Sequence, residues 1–102
     1  MKTMDVLELK NRISSGEPLN LVDVREPAEH EEFNVGGLLL PLGQIREGDT
    51  EAIDSLKDEE LVLYCRSGNR SGQAALILEG MGFTNVINVV GGMLSWQSHF
   101  PG

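Results

Sequence analysis

Cysteine is almost missing from this chain. Cys65 is the only one in 102 residues, so no internal disulfide can form. One cysteine also argues against a Cys-rich zinc site, and the only two histidines, His30 and His99, lie far apart in sequence. Aromatic residues make up 5%. No apolar run approaches the roughly 20 residues that cross a bilayer. Met1 to Asp5 lacks the apolar core of a signal peptide, so a cytoplasmic location is expected. Positive charge is scarce: 8 Lys and Arg face 16 Asp and Glu, for a net charge of −8. That balance disfavours nucleic acid and anionic membranes as partners. After Arg70 there is no Lys or Arg at all.

What is present suits one globular domain over residues 1–102. Apolar residues make up 40%, enough for a modest core. Residues 5–15 read as an amphipathic helix with Val6, Leu9 and Ile13 on one side, ended by Gly16-Glu17-Pro18. Leu19 to Val24 is β-prone, and Glu26-Pro27 opens a short helix over 27–33. Leu38-Leu39-Leu40 reads as a brief buried strand stopped by Pro41. Residues 49–57 read as helical, with Asp49 or Thr50 capping and Ala52, Ile53 and Leu56 facing the core. Glu60 to Tyr64 is the next strand. Arg70 to Met81 is a helix apolar over most of its circumference. Val86 to Val90 is a strand, and Gly91-Gly92 turns into a last helix with Met93, Leu94 and Trp96. Alternating strands and helices imply an α/β fold with parallel pairing and helices on both faces. No repeat or linker interrupts the pattern.

Cys65 opens the run Cys65-Arg66-Ser67-Gly68-Asn69-Arg70-Ser71 at a strand-to-helix junction. In an open parallel sheet, ligands bind outside the carboxyl ends of strands. A helix beginning near Arg70 points its free N–H groups back at the loop, which lowers the pKa of a cysteine there. Gly68 lets successive amides converge into an anion nest, and Arg66 and Arg70 add full charges. A lone cysteine is more often a buried hydrophobe. A purely structural turn, however, has no need of two arginines.

These residues resemble a known family. Cys65–Arg70 looks like the six-residue active-site loop of rhodanese-like domains, which starts with the catalytic cysteine. Leu21-Val22-Asp23-Val24-Arg25-Glu26-Pro27-Ala28-Glu29 is similar to the family's Asp-Val-Arg segment and the Glu after it. Gly91-Gly92-Met93-Leu94-Ser95-Trp96 is similar to its closing Gly-Gly-x-x-x-Trp. The resemblance covers nearly the whole chain. It implies a rhodanese-like three-layer α/β/α architecture with a central, mostly parallel sheet of about five strands. One segment departs. Where many members carry Gly-His-Ile, then Gly-Ala, then Ile-Pro, this chain has Phe33 to Leu42, with Asn34 in place of His and one residue fewer.

The implied activity is sulfur transfer through a Cys65 persulfide. The thiolate takes the outer sulfur of thiosulfate or a similar small anionic donor and passes it to a thiophilic acceptor: cyanide, a cellular thiol or a small redox protein. Arg66 and Arg70 attract the donor, and Ser67, Gly68 and Asn69 with their neighbours bind the persulfide. No metal or organic cofactor is required. Cysteine phosphatases and arsenate reductases place five residues between Cys and Arg; here there are four, a smaller ring of amides that suits one extra sulfur better than a phosphate. A non-catalytic binding or regulatory module on the same fold is the other alternative.

Further residues have more modest expectations. Asp23 and Arg25 are expected to form a partly buried ion pair or capping contact supporting the loop. Glu29 is a candidate partner for Arg25. Ser67 ranks above Ser71 as a site hydroxyl. Trp96 belongs to the core, and neither histidine is expected to act as a base. The chain is expected to be a monomer.

Overall fold

A computed structural model describes residues 1–101. Five strands form one sheet: β1 (Lys2–Met4), β2 (Leu21–Asp23), β3 (Leu38–Leu39), β4 (Leu61–Tyr64) and β5 (Val86–Val89). They lie in the order β1-β5-β4-β2-β3, and every neighbouring pair is parallel. The helices are α1 (Val6–Ser14), α2 (Pro27–Glu32), α3 (Leu42–Arg46), α4 (Asn69–Gly80) and α5 (Gly92–His99), with a 3₁₀ segment at Glu51–Leu56.

The alternation of side chains along each strand divides the core into two layers. Leu61, Leu63 and Cys65 join Val22, Val24, Leu42, Ile45, Ala74 and Leu78 on the α3/α4 side. Val62 and Tyr64 join Leu21, Val6, Leu9, Met93 and Trp96 on the α1/α5 side. The three-layer α/β arrangement expected from the sequence is therefore present. β4 runs through the middle, buried on both faces, and delivers Cys65 at its carboxyl end. The chain leaves β2 toward one edge and β4 toward the other. The crevice between those two carboxyl ends is the switch point where such sheets bind ligands.

Several local expectations are corrected. Lys2–Met4 pairs with β5 as an edge strand that the short, polar sequence did not announce. Of Leu38, Leu39 and Leu40 only Leu40 is buried; Leu38 and Leu39 form a sheet edge with one neighbour. The stretch 49–57 is 3₁₀ rather than α, and Ala52 faces solvent while Ile53 is buried. Thr50 is buried but gives its hydroxyl to Asp54 instead of capping. Helix α4 is less enclosed than its composition suggests, since Leu76 is 61% exposed. Trp96 is a core residue, as expected.

A buried ion pair closes the end of β2. Arg25 Nε and Nη2 donate to the two carboxylate oxygens of Asp23 at 2.9 and 2.8 Å. His30 Nδ1 lies 2.8 Å from Asp23 Oδ2, and Arg25 also donates to the carbonyl of Phe33. The Arg25 guanidinium sits over the Tyr64 ring. Removing one partner of such a pair strands the other charge. Asp23→Ala is expected to lower the unfolding free energy by about 3–5 kcal/mol, read from urea unfolding curves at unchanged slope.

Candidate functional site

The loop after β4 is shaped from a distant part of the chain. The first free amides of α5 take its carbonyls: Met93 N–H donates to Cys65 O and Leu94 N–H to Arg66 O, both at 2.9 Å. A trans peptide points its C=O and N–H in opposite directions. Binding those carbonyls to α5 therefore turns the amides of Arg66 and Ser67 away from α5. Gly92 makes the approach possible. It sits at φ +51°, and a Cβ there would lie 2.5 Å from the carbonyl oxygen of Cys65. Gly68, at φ +96°, then reverses the chain into α4.

The sulfur of Cys65 is enclosed and hydrogen-bonded; the residue is 1% exposed. Sγ accepts from Gly68 N–H at 3.1 Å, from Ser71 N–H at 3.4 Å and from the Ser71 hydroxyl at 3.3 Å. Burial alone pushes the thiol pKa up. The Ser71 hydroxyl and the amides of Ser71, Gly68 and Ser67 outweigh it, leaving the thiol below its ordinary value. The Ser71 hydroxyl also lies 2.5 Å from Asn88 Oδ1. It has one proton, and Asn88 Oδ1 and Cys65 Sγ are both within its reach. Asn88 braces the turn from below by donating to Gly68 O at 3.1 Å.

The predicted loop residues thus divide. Cys65, Gly68 and Ser71 meet at the sulfur. Ser67 contributes its amide, while its hydroxyl is exposed and accepts from Asn69 N–H at 3.4 Å. The ranking of the two serines is reversed, because α4 begins at Asn69 and carries Ser71 back over the sulfur. Asn69 is exposed, and its side chain meets Gln73. Arg66 is exposed, and among the described residues no carboxylate pairs with it.

Arg70 differs most from expectation. Both of its terminal nitrogens are held by Glu29, with Nη1 to Oε1 at 2.7 Å and Nη2 to Oε2 at 2.8 Å. Glu29 therefore pairs with Arg70 and not with Arg25, which Asp23 already occupies. Glu29 Oε1 also accepts from Glu26 N–H at 3.1 Å. The Arg70 hydrogen bonds, helped by that amide, hold the Glu29 carboxyl down at about 2, against a smaller cost of burial. The Arg70 guanidinium is raised, first by Glu29 and more weakly by the charges of Cys65 and Asp23.

The pairing of Glu29 with Arg70, the role of Asn88 and the contact of His30 with Asp23 were not predicted. Asn88 had left a signal, as the one polar residue inside the apolar run Val86 to Val90. A cleft of about 260 Å³ opens beside the loop, bordered by Arg25, Glu29, Glu32, Phe33, Arg66 and Leu94. Among the described residues, no group of three or more His, Cys, Asp or Glu is arranged to hold a metal ion.

The rhodanese-like domain family matches residues 5–99. The chain belongs to that family. A sulfurtransferase of Allochromatium vinosum is 37% identical over 97 residues, 94% of this chain and 88% of that protein. The thiosulfate sulfurtransferase PspE of Escherichia coli is 37% identical over 71 residues, 69% of this chain and 67% of its own. The crystal structure of a rhodanese-like domain protein from Staphylococcus aureus superposes with a TM-score of 0.81 at 31% identity, covering 94% of this chain and 91% of that one. Longer relatives also match: the rhodanese-like chain spans 46% of one from Bacillus subtilis and 24% of one from Mycobacterium tuberculosis. The sequence resemblance is thereby borne out at the level of family and fold, with sulfurtransferases among the relatives.

Two titrations test the site. Ser71→Ala is expected to raise the midpoint at which thiolate absorbance develops; an unmoved midpoint would assign the whole effect to the amides. Glu29 concerns stability. Its folded pKa is depressed, so its contribution is full above the ordinary carboxylate pKa of about 4.3 and fades as pH falls toward about 2. Acid unfolding of Glu29→Gln should accordingly be flatter over that window than that of the native chain.

Proposed function

We propose that the protein is a sulfurtransferase that carries sulfane sulfur as a Cys65 persulfide. The observation that supports it most directly is the enclosed sulfur of Cys65, accepting two backbone amides and a hydroxyl at a depressed pKa. The thiolate attacks the outer sulfur of thiosulfate or a similar donor. A bond from Sγ to that sulfur forms, the sulfur–sulfur bond of the donor breaks, and sulfite leaves with the electron pair. The amides of Ser67, Gly68 and Ser71 stand fixed before reaction and stabilise negative charge on the persulfide as it forms. A thiol or cyanide then attacks the outer sulfur and releases the Cys65 thiolate. No step needs a metal or an organic cofactor.

The tight wrapping of the sulfur favours this over phosphoryl chemistry. A persulfide adds one slender atom, whereas a phosphate needs space and donors for three further oxygens. The relative from Escherichia coli is named a thiosulfate sulfurtransferase, which makes thiosulfate the first donor to try. Arg66, the unpaired cation at the cleft, is assigned the attraction of the anion.

Incubation with thiosulfate, removal of excess and an intact-mass measurement test the reading. The expected gain is one sulfur atom, removed by cyanide and absent in Cys65→Ser. Arg66→Ala is expected to slow loading by about tenfold, the loss of one charge-assisted contact. Hydrolysis of an aryl phosphate without any sulfur adduct would overturn the proposal in favour of a phosphatase. Neither product would leave a binding module.

A further inference from the structure

Ser71 and Asn88 form a polar pair in the core beside the sulfur. Both are buried, and Asn88 stands in a strand whose other residues are apolar. Such a pair destabilises the core unless its donors and acceptors find partners. Asn88 Nδ2 donates to Gly68 O at 3.1 Å, which fixes how the side-chain amide is turned. The other end, Oδ1, can only accept. The Ser71 hydroxyl therefore lies between two acceptors, Asn88 Oδ1 at 2.5 Å and Cys65 Sγ at 3.3 Å, with a single hydrogen for both. Gly72 lets Asn88 come this close to α4, since a Cβ there would lie 3.3 Å from Asn88 Nδ2. The charged groups around the sulfur stand outside this pair. Arg70 feels the charge of Cys65 and is held by Glu29, Asp23 and Arg25 close the end of β2, Arg66 is exposed on the loop, and Arg46 of α3 reaches the outer side of α4. Among the described residues none of them hydrogen-bonds Ser71 or Asn88, so a change at Asn88 leaves their charges in place.

We propose that Asn88 is a positioning residue for sulfur transfer: its Oδ1 takes the Ser71 hydroxyl whenever Sγ is uncharged and yields it to Sγ when the thiolate forms. This rests on the sulfur-transfer reading above and adds a residue to that site. A hydrogen bond to an ionised acceptor is about twice as strong as one between neutral groups. A thiolate at Sγ therefore draws the hydroxyl. In the persulfide the inner sulfur is bonded to a second sulfur and the charge sits on the outer atom, so Sγ is a weak acceptor. Asn88 then keeps the buried hydroxyl satisfied. On discharge the attacking nucleophile bonds to the outer sulfur, the bond from that sulfur to Sγ breaks, and Sγ keeps the electron pair. The hydroxyl turns back to Sγ as this charge develops. Its hydrogen stays on Ser71 Oγ throughout, and only the acceptor changes.

The test compares the native protein, Asn88→Leu, Ser71→Ala and the double variant. It reads thiolate absorbance against pH, and the rate at which cyanide removes sulfur from protein loaded with thiosulfate. Asn88→Leu leaves the hydroxyl no acceptor except Sγ. Its thiolate midpoint should fall by about half a pH unit, and cyanide discharge should quicken by about threefold. Loss of a mere brace under Gly68 has the opposite sign, because a loosened Gly68 amide lets the midpoint rise. In the Ser71→Ala background the same substitution should no longer lower the midpoint, since no hydroxyl remains to be shared. A midpoint that rises or stays in Asn88→Leu, a fall that is the same with and without Ser71, or a discharge rate that does not increase would overturn the inference while the sulfur-transfer reading stands. If Asn88→Leu is unfolded by circular dichroism, the native chain decides through the carbon resonance of Asn88 Cγ. It should move as the thiolate forms and return when sulfur is loaded; a resonance that ignores the titration overturns the inference. Failure of the native protein to take up sulfur overturns the sulfur-transfer reading and the inference with it.

Discussion

Two hydrogen bonds from the start of α5 to the carbonyls of Cys65 and Arg66 govern the geometry of the site. Once those carbonyls are bound on one side, the planarity of the peptides fixes where the following amides point. The sulfur then gathers donors that cost nothing to reorganise when charge appears. Everything else serves this contact. Gly92 lets the backbones approach, Met93 and Trp96 seat α5 in the core beside α1, and Asn88 supports the turn at Gly68. The lowered pKa of the thiol is thus a property of the packed sheet and α5, with Ser71 the one side chain among the described residues that hydrogen-bonds the sulfur.

Charge is handled differently. An acidic chain has gathered three arginines at one crevice and then paired two of them internally, Arg25 with Asp23 and Arg70 with Glu29. The first pair is fully buried and fastens the end of β2 to the segment before β3. The second is about one-third exposed and spans the two loops that flank the crevice. Both carry their carboxylates on the β2–α2 side. The two halves of the switch point are in this way joined by an ion pair as well as by the sheet.

The sequence was most legible where chemistry and periodicity act locally. The strand-to-helix junction at Cys65, the left-handed turn at Gly68 and the parallel alternation all follow from neighbouring residues. Short elements were harder. Lys2–Met4 is a strand only because β5 lies beside it, and Leu42–Arg46 is a single helical turn between Pro41 and Gly48. The pairing of Glu29 with Arg70 was hidden for a different reason. The two are 41 positions apart, and they meet because β2 lies beside β4 in the sheet. Composition placed two positive charges in the loop; only the strand order shows that one of them is already matched. Likewise Ser67 and Ser71 are equivalent in sequence, and the phase of α4 from Asn69 decides which of them faces the sulfur.

The placement of α5 has a consequence for the order in which the site can assemble. Parallel strands must be joined through crossovers, so contacts distant in sequence form late. The sheet needs β5 before β1 can pair, and the loop needs Met93 and Leu94, nearly thirty positions further on, before its carbonyls are bound. Until then Cys65 is an ordinary thiol, protonated for the most part near neutral pH. The hydrogen-bonded surroundings that lower the Cys65 pKa are therefore complete only once α5 has docked on the loop.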